Sequence, residues 1–397
     1  MNRKLILCLI AWLIPIHVKA QIRSYELNGY AKYLFSSTKM PYLQDRLDDH
    51  LVHARINTRW YPTHSLVAAL EIRLRGFYGE SLETVPGFKS QITNEYDSPK
   101  LDAVLWDQKK SFGYGQIDRL YLDYTSKKLQ ITLGRQRIAW GTSLVWNVID
   151  LFNPMAILDF DYEERPGSDA LRMQYYTGAI SKFEFAIKPG KNKYNTTAAA
   201  LWSINKFGYD FYAIAALKNN RKMVGGAWAG NIRGAGFRGE FLMSDPPNKS
   251  LSTKYPASIY FGQSFFETSK PVMSFVLSAD YTFPSSLYLH TETLFNNNGK
   301  RKDAGLFQLD ALEAGMLSPA RWSIFQEIAY DIHPLFRGTI FGILNPDDKS
   351  SVVMPSITWS VVTNFDLLVI GYYTFGDPLT EWGNWGNAIF TRLKYSF

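Results

Sequence analysis

Hydrophobic and polar residues alternate with a period of two along most of the chain. Residues Ser65–Arg75 read SLVAALEIRLR, with Leu66, Ala68, Leu70, Ile72 and Leu74 on one face and Glu71, Arg73 and Arg75 on the other. Gly115–Ser126 repeats the pattern, setting Leu120, Leu122 and Tyr124 against Arg119, Tyr121 and Asp123. In Asn387–Phe397, Ile389, Leu393, Tyr395 and Phe397 oppose Arg392 and Lys394. Side chains of a strand point alternately to its two faces, so each segment predicts a strand between an apolar and a polar medium. About eighteen such segments can be placed. They fall near residues 24–35, 48–61, 65–76, 115–126, 129–138, 169–177, 181–188, 196–205, 208–218, 223–231, 234–243, 272–283, 287–295, 322–332, 336–344, 351–362, 365–374 and 387–397. The weakest contains MVGGAWAGN.

The connections alternate between long and short. Turn-like links such as SKK, IRG, PSS and HPL separate the long stretches Ser36–Leu47, Phe77–Tyr114, Ala139–Ser168, Ser244–Pro271, Asn296–Arg321 and Phe375–Gly386. A sandwich has no reason to keep that parity, whereas a transmembrane antiparallel β-barrel does. The expected fold is therefore all-β: a membrane barrel of 16–18 strands in one domain, residues 21–397, with short periplasmic turns and long extracellular loops. After residue 20 no stretch approaches the roughly 18 consecutive apolar residues of a spanning helix.

The first twenty residues predict a cleaved export signal. Arg3 and Lys4 precede the apolar run LILCLIAWLIPI, and Val18-Lys19-Ala20 offers small residues at the two cleavage-site positions, which places the cut before Gln21. The one cysteine, Cys8, lies inside that segment, so the exported chain carries no thiol or disulfide. Charge is mild. Subtracting Arg3, Lys4 and Lys19 from 43 Lys+Arg leaves 40 against 36 Asp+Glu. That balance, with no phosphate-binding loop or zinc-finger spacing, argues against a nucleic-acid partner.

The polar faces carry the chemistry. On the second to sixth strands they present His53, Arg55, Arg59, Arg73, Arg75, Arg119, Arg137 and Arg172 against Glu71 and Asp123. The later strands are balanced: Lys182, Arg238, Arg337, Arg392 and Lys394 accompany Glu184, Glu240, Glu292, Glu327 and Asp331. Cationic rings are how pores favour anions, so the arginines predict the solute path. In LQITLGRQRI, Leu129, Ile131 and Leu133 share their parity with Arg135 and Arg137. An arginine facing lipid at mid-membrane costs about 2–4 kcal/mol, which predicts either a bulge at Gly134 that flips the phase, the preferred reading, or a place for both arginines above the bilayer.

The following loop holds Trp140, Trp146, Asn147, Asp150, Asp159 and Asp161 and is expected to form the constriction. Its rings and carboxylates suit sugar binding. Its acids could equally pin it to wall arginines. Asp159-x-Asp161-x-Glu163 lacks the glycine and terminal glutamate of an EF-hand loop, so no metal site and no cofactor are expected. Among the histidines, His290 and Glu292 share a face, but no serine beside them in sequence looks activated, which argues against an enzyme.

GRQ-x-x-x-WG (Gly134–Gly141), WN-x-x-D-x-x-NP (Trp146–Pro154) and ERPG-x-D-x-x-R (Glu164–Arg172) together resemble the alginate-export-like and related substrate-selective porins of Gram-negative outer membranes. The match covers Leu133–Arg172. It implies passage of a solute, often anionic, across the outer membrane. The terminal RLKYSF, ending on Phe397, is similar to the strand that the barrel assembly machinery reads. The resulting expectation is a passive channel for small anions or acidic sugars, surrounded by outer-membrane lipid. The alternative is a surface barrel sealed by its loops that binds polysaccharide without conducting.

Overall fold

The computed structural model describes residues 24–93, 99–153, 167–191, 195–247 and 270–397. The expected signal, residues 1–20, and the site residues Asp159 and Asp161 lie outside them. The first strands are β1 (Tyr25–Lys39), β2 (Leu47–Thr63), β3 (Leu66–Gly79), β4 (Asp102–Asp107), β5 (Ser111–Thr125) and β6 (Leu129–Gln136). They are followed by β7 (Ser168–Tyr176), β8 (Lys182–Lys188), β9 (Thr197–Lys206), β10 (Tyr209–Lys218), β11 (Arg221–Ile232) and β12 (Ala235–Ser244). The rest are β13 (Val272–Thr282), β14 (Leu287–Asn296), β15 (Trp322–His333), β16 (Phe336–Asn345), β17 (Ser350–Val362), β18 (Phe365–Phe375) and β19 (Asn387–Ser396).

Each wall strand pairs antiparallel with its neighbours, and β19 returns to β1, closing an 18-strand barrel. Closure leaves no unpaired edge, the condition for a sheet to cross lipid. The seam is finished by reciprocal 3.0 Å bonds between the backbones of Gly29 and Phe397. A Cβ on Gly29 would lie 2.2 Å from the Arg55 carbonyl oxygen and 2.8 Å from the Phe397 ring, so the seam admits only glycine there. The extra strand, β4, is a piece of the β3–β5 connection. It pairs with the half of β5 that β6 does not reach.

The alternation maps onto the wall as sheet geometry requires. Leu122 and Leu133 are 52% and 59% exposed on the outer face, whereas their sequence neighbours Thr132 and Tyr121 turn inward or are partly covered. Two departures matter for the interior. First, the β3–β5 register shifts between Glu71 and Ile72, leaving Asp118 as an extra residue in β5. Parity alone assigns Asp118 to the lipid face, but the bulge brings it inside together with Arg119, where both are buried. Second, the bulge expected at Gly134 is not there: β5 and β6 pair without a shift from Leu120–Arg135 to Thr125–Gln130. Instead Gly134 takes a φ of 118°, open in practice to glycine alone. Arg135 is buried against Asp169 at 2.7 Å and against the carbonyls of Pro99 and Ile117.

The largest apolar cluster lies within the barrel, not outside it. Ile138, Trp140, Trp146, Ile149, Leu151 and Phe152 of the β6–β7 loop pack against inward residues of β7 to β19, among them Leu201, Val276, Phe325 and Met354.

Candidate functional site

Non-helical backbone can sit at membrane depth only if its N–H groups are satisfied inside the protein. The β6–β7 loop meets that condition with two wall carboxylates. Glu240 accepts bonds from the backbone N–H groups of Thr142 (2.5 Å), Ser143 (2.7 Å) and Ile149 (3.2 Å). Glu292 accepts from those of Leu144, Val145 and Trp146, the last at 2.6 Å. Both glutamates are fully buried. A third acid, Glu184, accepts from the Trp140 indole at 2.6 Å and is neutralised by Arg172 at 2.6 Å and Lys182 at 2.8 Å. On the other side, Lys218 donates to the Leu151 carbonyl at 2.6 Å.

The described part of the loop is therefore held across the interior. Wall acids accept from loop N–H groups and Lys218 of the wall donates to a loop carbonyl, while Asp169 at the far end of the loop meets Arg135; Asp159 and Asp161 lie outside the described residues. Trp140, Trp146, Asn147 and Asp150 are all buried in this arrangement. The two indoles face protein, so they present no open ring on which a sugar could stack.

The facing wall is basic. Strand register sets Lys394, Lys32, His53, Arg75 and Tyr114 side by side across β19, β1, β2, β3 and β5. The adjacent row is Ser396, Tyr30, Arg55, Arg73 and Gln116. Lys32 and Lys394 both lie over the Tyr30 ring, 5.1 and 4.8 Å from its centroid. The Arg75 guanidinium sits 5.5 Å from the Tyr114 ring and donates to the Ile92 carbonyl at 3.0 Å. Like charges directly opposite each other destabilise a sheet. In the lower row that repulsion is offset: Arg55 lies 2.5 Å from both Glu71 and Asp118, and Arg119 donates to the Asp118 carbonyl at 2.8 Å. The upper row brings two lysines, a histidine and an arginine into register.

Of the arginines expected on the solute path, Arg55, Arg73, Arg75 and Arg119 converge on this wall. Arg59 continues the Arg55 face of β2 and is exposed, close to Glu71 and Tyr121. Arg172 lies apart, in the Glu184 cluster. Arg137 is exposed just past the end of β6. Sequence reasoning missed Lys32, although its alternation with Ala31 and Tyr33 was legible, and it missed Asp118, hidden by the bulge.

His290 makes the arrangement most like a catalytic one. Its Nε2 lies 3.1 Å from Ser278 Oγ and its Nδ1 3.7 Å from Glu327. The same Nε2 is also 3.4 Å from Glu292, and all but Glu327 are buried beneath the loop. A ring nitrogen shared with a carboxylate, under a closed cover, is a charge pair supporting the loop anchor rather than a base presented to a nucleophile.

No family model and no curated protein matches the chain. Solved structures do match over nearly its full length. Acinetobacter baumannii OccAB1 superposes with a TM-score of 0.57 at 9% identity, covering 96% of this chain and 98% of that one. Pseudomonas aeruginosa OccK5 (OpdH) gives 0.56 at 7%, covering 94% and 97%. The outer membrane protein OprD from Pseudomonas aeruginosa gives 0.55 at 7%, covering 96% and 95%. The fold is that of outer-membrane porins. At such identities the likeness concerns the fold alone.

Proposed function

We propose that the chain is an outer-membrane channel through which small anionic solutes, or acidic sugars and oligosaccharides, diffuse passively between the basic wall and the lumen loop. The observation that carries this reading is the upper cross-strand row, Lys394, Lys32, His53 and Arg75. Cations lined up in register form a track that a passing carboxylate or phosphate can follow. The motif from Gly134 to Arg172 supports the same reading by its resemblance to the alginate-export-like porins. Delivery by a cleaved signal over residues 1–20, and insertion through assembly machinery reading Phe397, complete the proposal.

The test is single-channel current in a planar bilayer under a salt gradient. The expected result is a steady conductance with an anion-favouring reversal potential. A cation-favouring potential would remove the basic wall from the solute path.

One observation favours a second reading: the β6–β7 loop buries six large apolar residues in the interior. If that packing seals the lumen, the protein is a surface barrel that binds polysaccharide without conducting, and the folded barrel passes no current.

A further inference from the structure

At the long-loop end, three connections meet at one residue. Glu381, in the β18–β19 loop, is 2% exposed. Its Oε1 accepts from Ser318 Oγ of the β14–β15 loop at 2.8 Å, and Ser318 Oγ is 2.9 Å from Ser323 Oγ of β15. Its backbone N–H donates at 2.8 Å to Asp348 in the β16–β17 turn. Asp348 is held in turn by Ser350 at 2.6 Å. The Asn345 amide faces the carboxyl without closing a well-formed bond, so Glu381 Oε2 and Asn345 Nδ2 have no hydrogen-bond partner among the described residues. The next residue, Trp382, inserts into the apolar cluster that also holds Trp146 and Phe152.

The charges nearest the carboxyl are acidic, with Lys349 adjoining Asp348 in the turn. Asp348 faces Glu381 from the turn, with Asp347 beside it, and Asp377 lies on Glu381's own loop. The β14–β15 loop and β15 contribute hydroxyls, and β16 an amide. No described Lys, Arg or His acts on the carboxyl. A carboxylate buried without a cation is strongly disfavoured, whereas the neutral acid is not.

We propose that Glu381 is a proton-operated latch: neutral, it holds the three loops together with Trp382 seated over the lumen cluster, and ionised, it releases them. Burial, reinforced by the Asp348 charge and opposed by the bond from Ser318 and the nearby Asn345 amide, pushes the Glu381 carboxyl up to about 7. In an opened loop it returns to about 4.3. The closed form therefore binds the extra proton between those values. Closure is fully favoured below about pH 4.3 and weakens as pH rises through about 7.

The test is hydrogen exchange of the backbone over residues 379–383 in the intact, reconstituted barrel, corrected for the intrinsic pH dependence. This readout does not require the barrel to conduct, so it stands apart from the channel proposal. Protection in the wild type should fall by about tenfold or more between pH 6 and 9. Glu381→Gln, which keeps a neutral side chain at every pH, should hold protection constant. Ser318→Ala removes a bond that favours the ionised carboxylate and should move the midpoint to higher pH. A flat wild-type profile, the same pH dependence in Glu381→Gln, or an unmoved midpoint in Ser318→Ala would each overturn the latch.

Discussion

The two sides of the lumen use buried charge in opposite ways. Across β19, β1, β2, β3 and β5, cations stand in register and the acids that relieve them, Glu71 and Asp118, come from the same wall. Across β12 and β14, Glu240 and Glu292 are relieved chiefly by the backbone of a loop, with His290 beside Glu292. The first side fixes a field; the second fixes a shape. A buried carboxylate taking three N–H groups is a positioning device, since each bond to a charged acceptor contributes about 1.5–3 kcal/mol and also dictates geometry.

Breaking the second side should have the largest effect. Glu240→Ala with Glu292→Ala deprives the loop of acceptors for the backbone N–H groups of residues 142–146 and 149. An unsatisfied buried N–H costs about 1–3 kcal/mol, so the loop should leave the interior rather than stay unpaired. Unitary conductance should rise several-fold and the melting temperature in detergent should fall. A double variant with wild-type conductance would mean the loop is held by its apolar packing alone.

Asp118→Asn comes next. It removes one acid from Arg55, and breaking a buried pair costs about 3–5 kcal/mol. Lower thermal stability together with stronger anion preference is expected; a loss of stability without a change in selectivity would confine Asp118 to a structural role.

A smaller effect, on selectivity alone, is expected from Lys32→Ala with Arg75→Ala, whose reversal potential should move toward zero with stability little changed. Smallest of all should be Arg137→Ala with Arg172→Ala. Arg172 already faces Glu184, so a shift in reversal potential as large as that of the Lys32 and Arg75 pair would show that the solute path runs along the Glu184 side of the lumen.

The strands were legible because their signal is local. Alternation in Ser65–Arg75 or Asn387–Phe397 needs no knowledge of partners, and eighteen such segments match the eighteen wall strands. What escaped was either a local exception or a long-range consequence. Asp118 escaped because one extra residue inverts parity, and no side-chain pattern marks it. The burial of Arg135 depends on a positive φ at Gly134 and on carbonyls of residues far along the chain. Glu240 and Glu292 were visible as lumen acids, but their partners are backbone N–H groups, which carry no sequence signature. The neighbours Lys32 and Lys394 meet only because the sheet closes on itself.

In the proposed channel, that last pairing ties selectivity to assembly. Half of the upper row's lysines belong to the first strand and half to the last, and the Gly29–Phe397 bonds zip them together. Contacts between the two extremes of a chain carry the greatest loop-closure entropy and tend to form late. An unsealed intermediate, even with most of its wall in place, therefore has no complete filter. In the proposed channel, discrimination between ions would arise in the same step that closes the wall.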